Sequence, residues 1–170
     1  MKKIVLPLLL MVACFSCSKT NKNSLPFDSF VYSYSAMNME YSVKFNNSDT
    51  VYFQKRYPNP KTNYYAIIKD AERDSITALI QKIDFTKYNA IYQQDNLKDG
   101  NGFKFYTIKD NKTNSIYVYG NKAPKELYLN AAKFNEYAKR FNFQPYNGKV
   151  NFGDLSNIEL PVAPIQKQPN

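Results

Sequence analysis

The chain has 170 residues, with 23 Lys and Arg against 14 Asp and Glu for a net charge of +9, and it contains 15 Tyr and 12 Phe but no Trp and no His. Without histidine, Ser-His and Cys-His nucleophilic pairs, imidazole acid–base catalysis and most zinc and copper sites are excluded. Among the basic residues only Arg56, Arg73 and Arg140 are arginine, and phosphate recognition favours the arginine fork, so the positive charge follows the AT-rich codons of a chain heavy in Lys, Asn, Ile, Tyr and Phe, and no nucleic-acid partner is expected.

Lys2 and Lys3 precede an uncharged, mostly apolar run over residues 4–15, and Cys17 stands where that run gives way to Ser18, Lys19, Thr20 and Asn21. This is the layout of a secretory signal. Twelve helical residues at about 1.5 Å each reach only about 18 Å, short of a ~30 Å hydrocarbon core, so a cleaved signal is expected rather than a spanning anchor. The cysteine at the boundary resembles a bacterial lipobox, in which the thiol takes a diacylglyceryl group and becomes the mature N-terminus. Cys14, preceded by Ala13, competes with Cys17, preceded by Ser16. Cys17 is favoured because it lies at the apolar-to-polar boundary and because Phe15, Ser16, Cys17, Ser18 and Lys19 are similar to the relaxed lipoboxes of Bacteroidota-type lipoproteins.

The resemblance implies a signal peptide over residues 1–16, a lipidated Cys17 with a polar tether over 17–26, and a protein exported and held to the bacterial membrane by its N-terminal lipid. Buried acyl chains contribute about 0.8 kcal/mol per CH₂, so two or three chains anchor a protein in effect permanently. No acidic residue closely follows Cys17, whereas surface-export signals in such lipoproteins tend to be acidic there; the expected position is the outer membrane, facing the periplasm. Losing Lys2 and Lys3 lowers the net charge from +9 to about +7. It also leaves no second thiol, which excludes disulfides and cysteine metal sites.

A single domain is expected over residues 27–153. Met37, Met39, Tyr41, Val43 and Phe45 alternate with Asn38, Glu40, Ser42, Lys44 and Asn46, the period of a half-buried strand. Asn46, Asn47, Ser48 and Asp49 form a turn. Residues 50–57 return as a strand that Pro58 and Pro60 terminate, and residues 62–69 make a third. Asp70 is the expected N-cap of a helix whose Ile76, Leu79, Ile80 and Ile83 fall on one stripe. Residues 84–98 read as a connection with at most a short strand. After the turn cluster Asp99, Gly100, Asn101 and Gly102, a second hairpin is expected, with strands at 103–109 and 115–120 and a loop over 110–114. Pro124 suits the first position of a second helix, with Leu127, Ala131, Phe134, Ala138 and Phe141 on its apolar stripe. An extended piece around 149–152 precedes a Pro-containing tail over 154–170, expected to be disordered.

This order predicts an α+β domain: an antiparallel sheet of two β-hairpins plus extra strands, with two helices packed on one face. The plan, over residues 38–141, resembles small lipoprotein families of unknown function that share a hairpin, strand and helix arrangement after a lipobox.

Chemistry-bearing motifs are sparse. The one Ser-x-x-Lys, Ser16 to Lys19, is cut by the expected cleavage, and there is no Walker loop or GxGxxG. Asp95 and Asp99 before Gly100 read as solvated turn residues rather than a carboxylate pair or half a calcium loop, because Leu97 and Tyr106 stand where calcium ligands belong. No metal or cofactor is expected. On the second hairpin, Lys104 and Tyr106 should point away from the core, and Tyr117 and Tyr119 should share that outer face. An exposed tyrosine ladder beside Lys104 is a candidate ligand face for a sugar ring or peptide; cross-strand aromatic pairing is the structural alternative. Thr50 and Ser75, within Asp49-Thr50-Val51 and Asp74-Ser75-Ile76, are candidate O-glycosylation positions. The expected function is a non-enzymatic binding or accessory module for an envelope protein, peptide or glycan. The alternative is an inhibitor or immunity protein against an envelope hydrolase or toxin.

Overall fold

The computed structural model describes residues 25–158 apart from Lys98. The expected signal segment, Cys14, Cys17, most of the tether and residues 159–170 of the expected tail lie outside the described residues. Eight strands and two helices follow in the order β1 (Ser29–Ala36), β2 (Met39–Asn46), β3 (Thr50–Tyr57), β4 (Thr62–Ile67), α1 (Asp70–Gln81), β5 (Ile91–Gln93), β6 (Gly102–Lys109), β7 (Lys112–Tyr119), α2 (Lys125–Arg140) and β8 (Gln144–Tyr146). The strands form one sheet in the order β5-β7-β6-β1-β2-β3-β4-β8. The class is α+β.

The sheet is mixed rather than wholly antiparallel, because β5 runs parallel to β7, with Ile91 opposite Tyr117 and Gln93 opposite Tyr119. Between β4 and β5 the chain passes from one side of the sheet to the other edge, and it arrives in the direction of β7.

A second difference is the central strand β1, which is not among the strands expected from sequence. Phe30, Tyr32 and Tyr34 alternate there with Val31, Ser33 and Ser35, a period-two pattern in which serine takes the polar positions. β1 pairs with β2 on one side and β6 on the other. The first hairpin therefore turns at Met37 and Asn38, and both Met37 (69%) and Met39 (39%) are exposed instead of continuing the apolar face. In the second hairpin, Asp110 and Asn111 take positive φ (49° and 61°), and Lys109 pairs with Lys112. A two-residue turn with left-handed Asx at both positions suits the twist of a hairpin; β7 accordingly starts at Lys112, three residues earlier than expected.

Both helices pack on the same sheet face. Phe30 and Tyr32 of β1, Val43 and Phe45 of β2, Phe105 of β6 and Val118 of β7 meet Ile76, Leu79 and Ile80 of α1 and Leu127, Ala131 and Phe134 of α2 in one core. Ile83 and Phe141, just past the helix ends, complete the expected stripes. The N-cap of α1 is Lys69, whose N–H donates to Glu72 Oε2 at 3.2 Å, and Asp70 is instead the first helical residue. Asp70 pairs with Arg73 at 2.7 Å, and the same guanidinium bonds Asp49, tying α1 to the β2–β3 turn. Asn135 of α2 faces the sheet, and its Oδ1 accepts from the hydroxyl of Tyr32 at 2.7 Å and from that of Tyr41. Burial, reinforced by neighbouring tyrosines, raises both phenols well above their ordinary range, so both remain donors.

Leu25 is buried, and its N–H donates to Asn47 Oδ1 at 2.8 Å. The ordered fold thus reaches into what reads in sequence as tether.

Candidate functional site

The sheet face opposite the helices carries the polar half of each strand's alternation, and the C-terminal segment covers part of it. Phe152 packs with Val31 and Tyr106, and Val150 and Leu155 lie against the same cluster. Gly153 permits this approach, since it takes φ +75° and a Cβ there would collide with the Tyr106 ring. Asp154 Oδ2 lies 3.2 Å from Lys104 Nζ, which also donates to Ser156 O at 3.1 Å and sits 5.8 Å from the centre of the Tyr106 ring. Ile158 is buried. Residues 154–158 are therefore docked on the sheet, where a free tail is expected from sequence.

The consequence for the expected tyrosine face is direct. Lys104, Tyr106, Tyr117 and Tyr119 do share one side, since Lys104 is opposite Tyr117 and Gly102 opposite Tyr119. They do not form an exposed ladder: Lys104 and Tyr106 lie beneath the C-terminal segment, 3% and 8% exposed. A period-two pattern separates the two faces of a strand but does not tell whether more chain returns to cover the polar one.

Toward one end of this covered face, a pocket of about 350 Å³ remains open, lined by Ser35, Met37, Gln93, Asp99, Gly100, Gly102, Tyr117, Tyr119, Asn157 and Ile158. Five chain regions build it: the end of β1 with the turn after it, the edge strand β5 with the loop after it, the start of β6, the end of β7, and the last described turn. Tyr117 and Tyr119 are thus brought together at the pocket, and Lys104 and Tyr106 are set aside in a structural role.

The two pocket tyrosines differ. Tyr119 holds the loop after β5: its hydroxyl donates to Leu97 O at 3.1 Å and accepts from Gly100 N at 3.0 Å. Its ring lies against Gly100, where a Cβ would stand only 2.9 Å from Tyr119 Cζ and would also strike Leu97. The glycine in the turn cluster is there for this ring. Tyr119→Phe is expected to remove both loop hydrogen bonds, at about 0.5–1.5 kcal/mol each, and to speed amide exchange around Gly100 while β6 exchange is unchanged. Equal rates in variant and wild type would contradict this staple.

Tyr117 is 9% exposed, and its hydroxyl has no hydrogen-bond partner among the described residues, although burial, then Tyr119, raises its pKa and keeps it protonated. Asp99, with φ +60°, is the charged side chain of the lining. Beside the pocket, Ser35 Oγ donates to Glu40 Oε1 at 3.1 Å, Ser33 and Ser42 hydroxyls lie 2.6 Å apart, and Arg56 bonds Ser42 and pairs with Glu40 at 3.8 Å. Arg56 occupies a bulge, since Glu40 is opposite Tyr57 and Tyr41 opposite Lys55. This buried network, which sequence alone did not reveal, fixes the pocket wall at Ser35.

Of the remaining candidates, Thr50 is half-buried at the start of β3 beside an Asp49 engaged with Arg73. Ser75 is exposed on α1, with its hydroxyl donating to Ala71 O at 2.8 Å. Among the described residues, no three His, Cys, Asp or Glu side chains are grouped to hold a metal ion, and no helix is long and apolar enough to cross a membrane. In comparisons with known proteins, the chain matches no family model, no curated protein and no solved structure.

Proposed function

We propose that this chain is a bacterial envelope lipoprotein, anchored through lipid on Cys17 and facing the periplasm from the outer membrane, and that its domain is a non-enzymatic binding module whose site is the Tyr117–Tyr119 pocket. The observation that carries the binding reading is Tyr117, whose ring is packed into the pocket wall while its hydroxyl, at the pocket, bonds no described residue. A ligand that accepts from this hydroxyl gains a hydrogen bond with a net contribution of about 0.5–1.5 kcal/mol. The anchor reading rests on the sequence layout alone, with Lys2 and Lys3, the apolar run and the cysteine at its end.

The anchor is tested by labelled palmitate in growing cells. Label should enter wild type and Cys14→Ala and be lost in Cys17→Ala; loss in Cys14→Ala alone would move the anchor to Cys14. The site is tested by placing a diazirine amino acid at Met37, which is 69% exposed on the pocket rim. Illumination of intact cells should give an envelope adduct. Gln93→Trp, an exposed edge position whose new ring fills the pocket, should abolish it. An adduct that survives Gln93→Trp would place binding elsewhere.

A further inference from the structure

The unspent hydrogen-bonding groups of the pocket narrow what it can take. Tyr119 has both donated and accepted, and Ser35 has donated its proton to Glu40. What remains is the Tyr117 hydroxyl, the amides of Gln93 and Asn157, and the Asp99 carboxylate, beside the side chains of Met37 and Ile158. These are planar or fixed groups that bond hydroxyls in pairs, next to aromatic and apolar surface.

Charge excludes two ligand classes. An anion would find no basic side chain among the described lining residues and would be desolvated without a partner. A cation would approach a mature chain of net charge about +7 against its field and meet a lone, exposed carboxylate. A neutral, polyhydroxylated ring suffers neither cost. At ~30 Å³ per displaced water, about 350 Å³ corresponds to roughly a dozen waters, the size of a single sugar ring with room at its edges. Aromatic side chains offer an apolar face to the ring's C–H groups, while the amides and carboxylate match adjacent hydroxyls.

We infer that the pocket holds one uncharged sugar ring of an envelope glycan, with the Tyr117 hydroxyl bonded to it. This rests on the pocket being the binding site. Tyr117 is then a specificity residue: a site built to hydrogen-bond a substrate hydroxyl discriminates against ligands lacking it.

The purified protein, with ring-labelled tyrosine, is titrated by NMR with methyl β-glucopyranoside and methyl N-acetyl-β-glucosaminide. The methyl glucuronide serves as the anionic probe and an uncharged blocked tripeptide as the peptide probe. The neutral glycosides should shift the Tyr117 and Tyr119 signals saturably. The glucuronide should bind at least tenfold more weakly. Tyr117→Phe should lose about 3- to 10-fold in affinity for the neutral glycosides, with a thermal midpoint close to wild type because the hydroxyl it removes bonds no described residue. Glucuronide or tripeptide binding as tight as the glycosides, or undiminished glycoside binding by Tyr117→Phe, would overturn the sugar assignment while the pocket remained a binding site. No shift of either tyrosine with any probe, together with a Met37 adduct that survives Gln93→Trp, would overturn both.

Discussion

Phe134→Ala is expected to destabilise the domain by about 3–5 kcal/mol, the usual cost of truncating a fully buried phenylalanine. The side chain is completely buried at the centre of the aromatic core. Its ring centre lies 5.0 Å from that of Phe30, 5.3 Å from Tyr32, 5.8 Å from Phe105 and 5.9 Å from Phe45, which brings three strands onto α2 at one point. Each ring contact adds to the area term, and the neighbours are themselves pinned in register by the sheet, so the space left by the ring cannot simply collapse. Against a typical domain stability of about 5–15 kcal/mol, such a loss leaves a marginal fold. Urea unfolding should show a much lower midpoint with a similar slope. Leu129→Ala, on the same helix but 54% exposed, should stay within about 0.5 kcal/mol of wild type.

Asp154→Ala is the second large effect, and it bears on whether the C-terminal segment belongs to the fold. Lys104 is buried with Asp154 and the Ser156 carbonyl as its partners. Removing one partner of a buried pair costs about 3–5 kcal/mol when the pair is sealed from water; the Asp154 side chain is 57% exposed, so a smaller loss of about 1–3 kcal/mol is expected. Lys104→Met removes the buried charge itself and should be close to neutral. The double variant should therefore recover most of what Asp154→Ala loses, whereas additive losses would show that the two side chains do not act on each other. The pH dependence has a definite sign. Hydrogen bonds from Ser156, and then Lys104, hold the Asp154 carboxyl below the ordinary carboxylate value. A depressed folded-state pKa contributes stability that is fully present above the unfolded value of about 3.9 and is lost as pH falls through the folded value. Asp154→Asn should flatten that part of the acid limb, and an unchanged limb would count against the pairing.

The parts of this fold that were legible in the sequence are those set by local periodicity. The stripe of Ile76, Leu79, Ile80 and Ile83 and the alternation of Tyr41, Val43 and Phe45 name their buried faces directly, and the structure buries all seven. The strand β1 carries an equally regular pattern, but its polar positions are serines rather than charges, and serine beside aromatic residues contrasts weakly. The parallel pairing of β5 depends on a long-range choice that a three-residue strand does not encode. The candidate site was half legible. Period two placed Tyr117 and Tyr119 on the same side as Lys104, but nothing local says that the extended piece ending at Phe152 lies across that face, or that Asp154 and Ile158, which read as the start of a free tail, continue the cover. The pairing of Tyr119 with Gly100 is equally invisible locally, because the glycine's partner lies nineteen residues away, across the hairpin.

The claim that the Tyr117 pocket is a binding site is tested most directly by thermal unfolding of the purified protein with and without a soluble digest of its own cell envelope. A ligand that binds only the folded state at a hundred times its dissociation constant adds about 2.7 kcal/mol, a shift of several degrees for a domain of this size. The wild-type midpoint should rise with the digest, and Tyr117→Phe, equally stable alone, should rise far less. An equal rise in both proteins, or no rise in either, would contradict the assignment of this pocket.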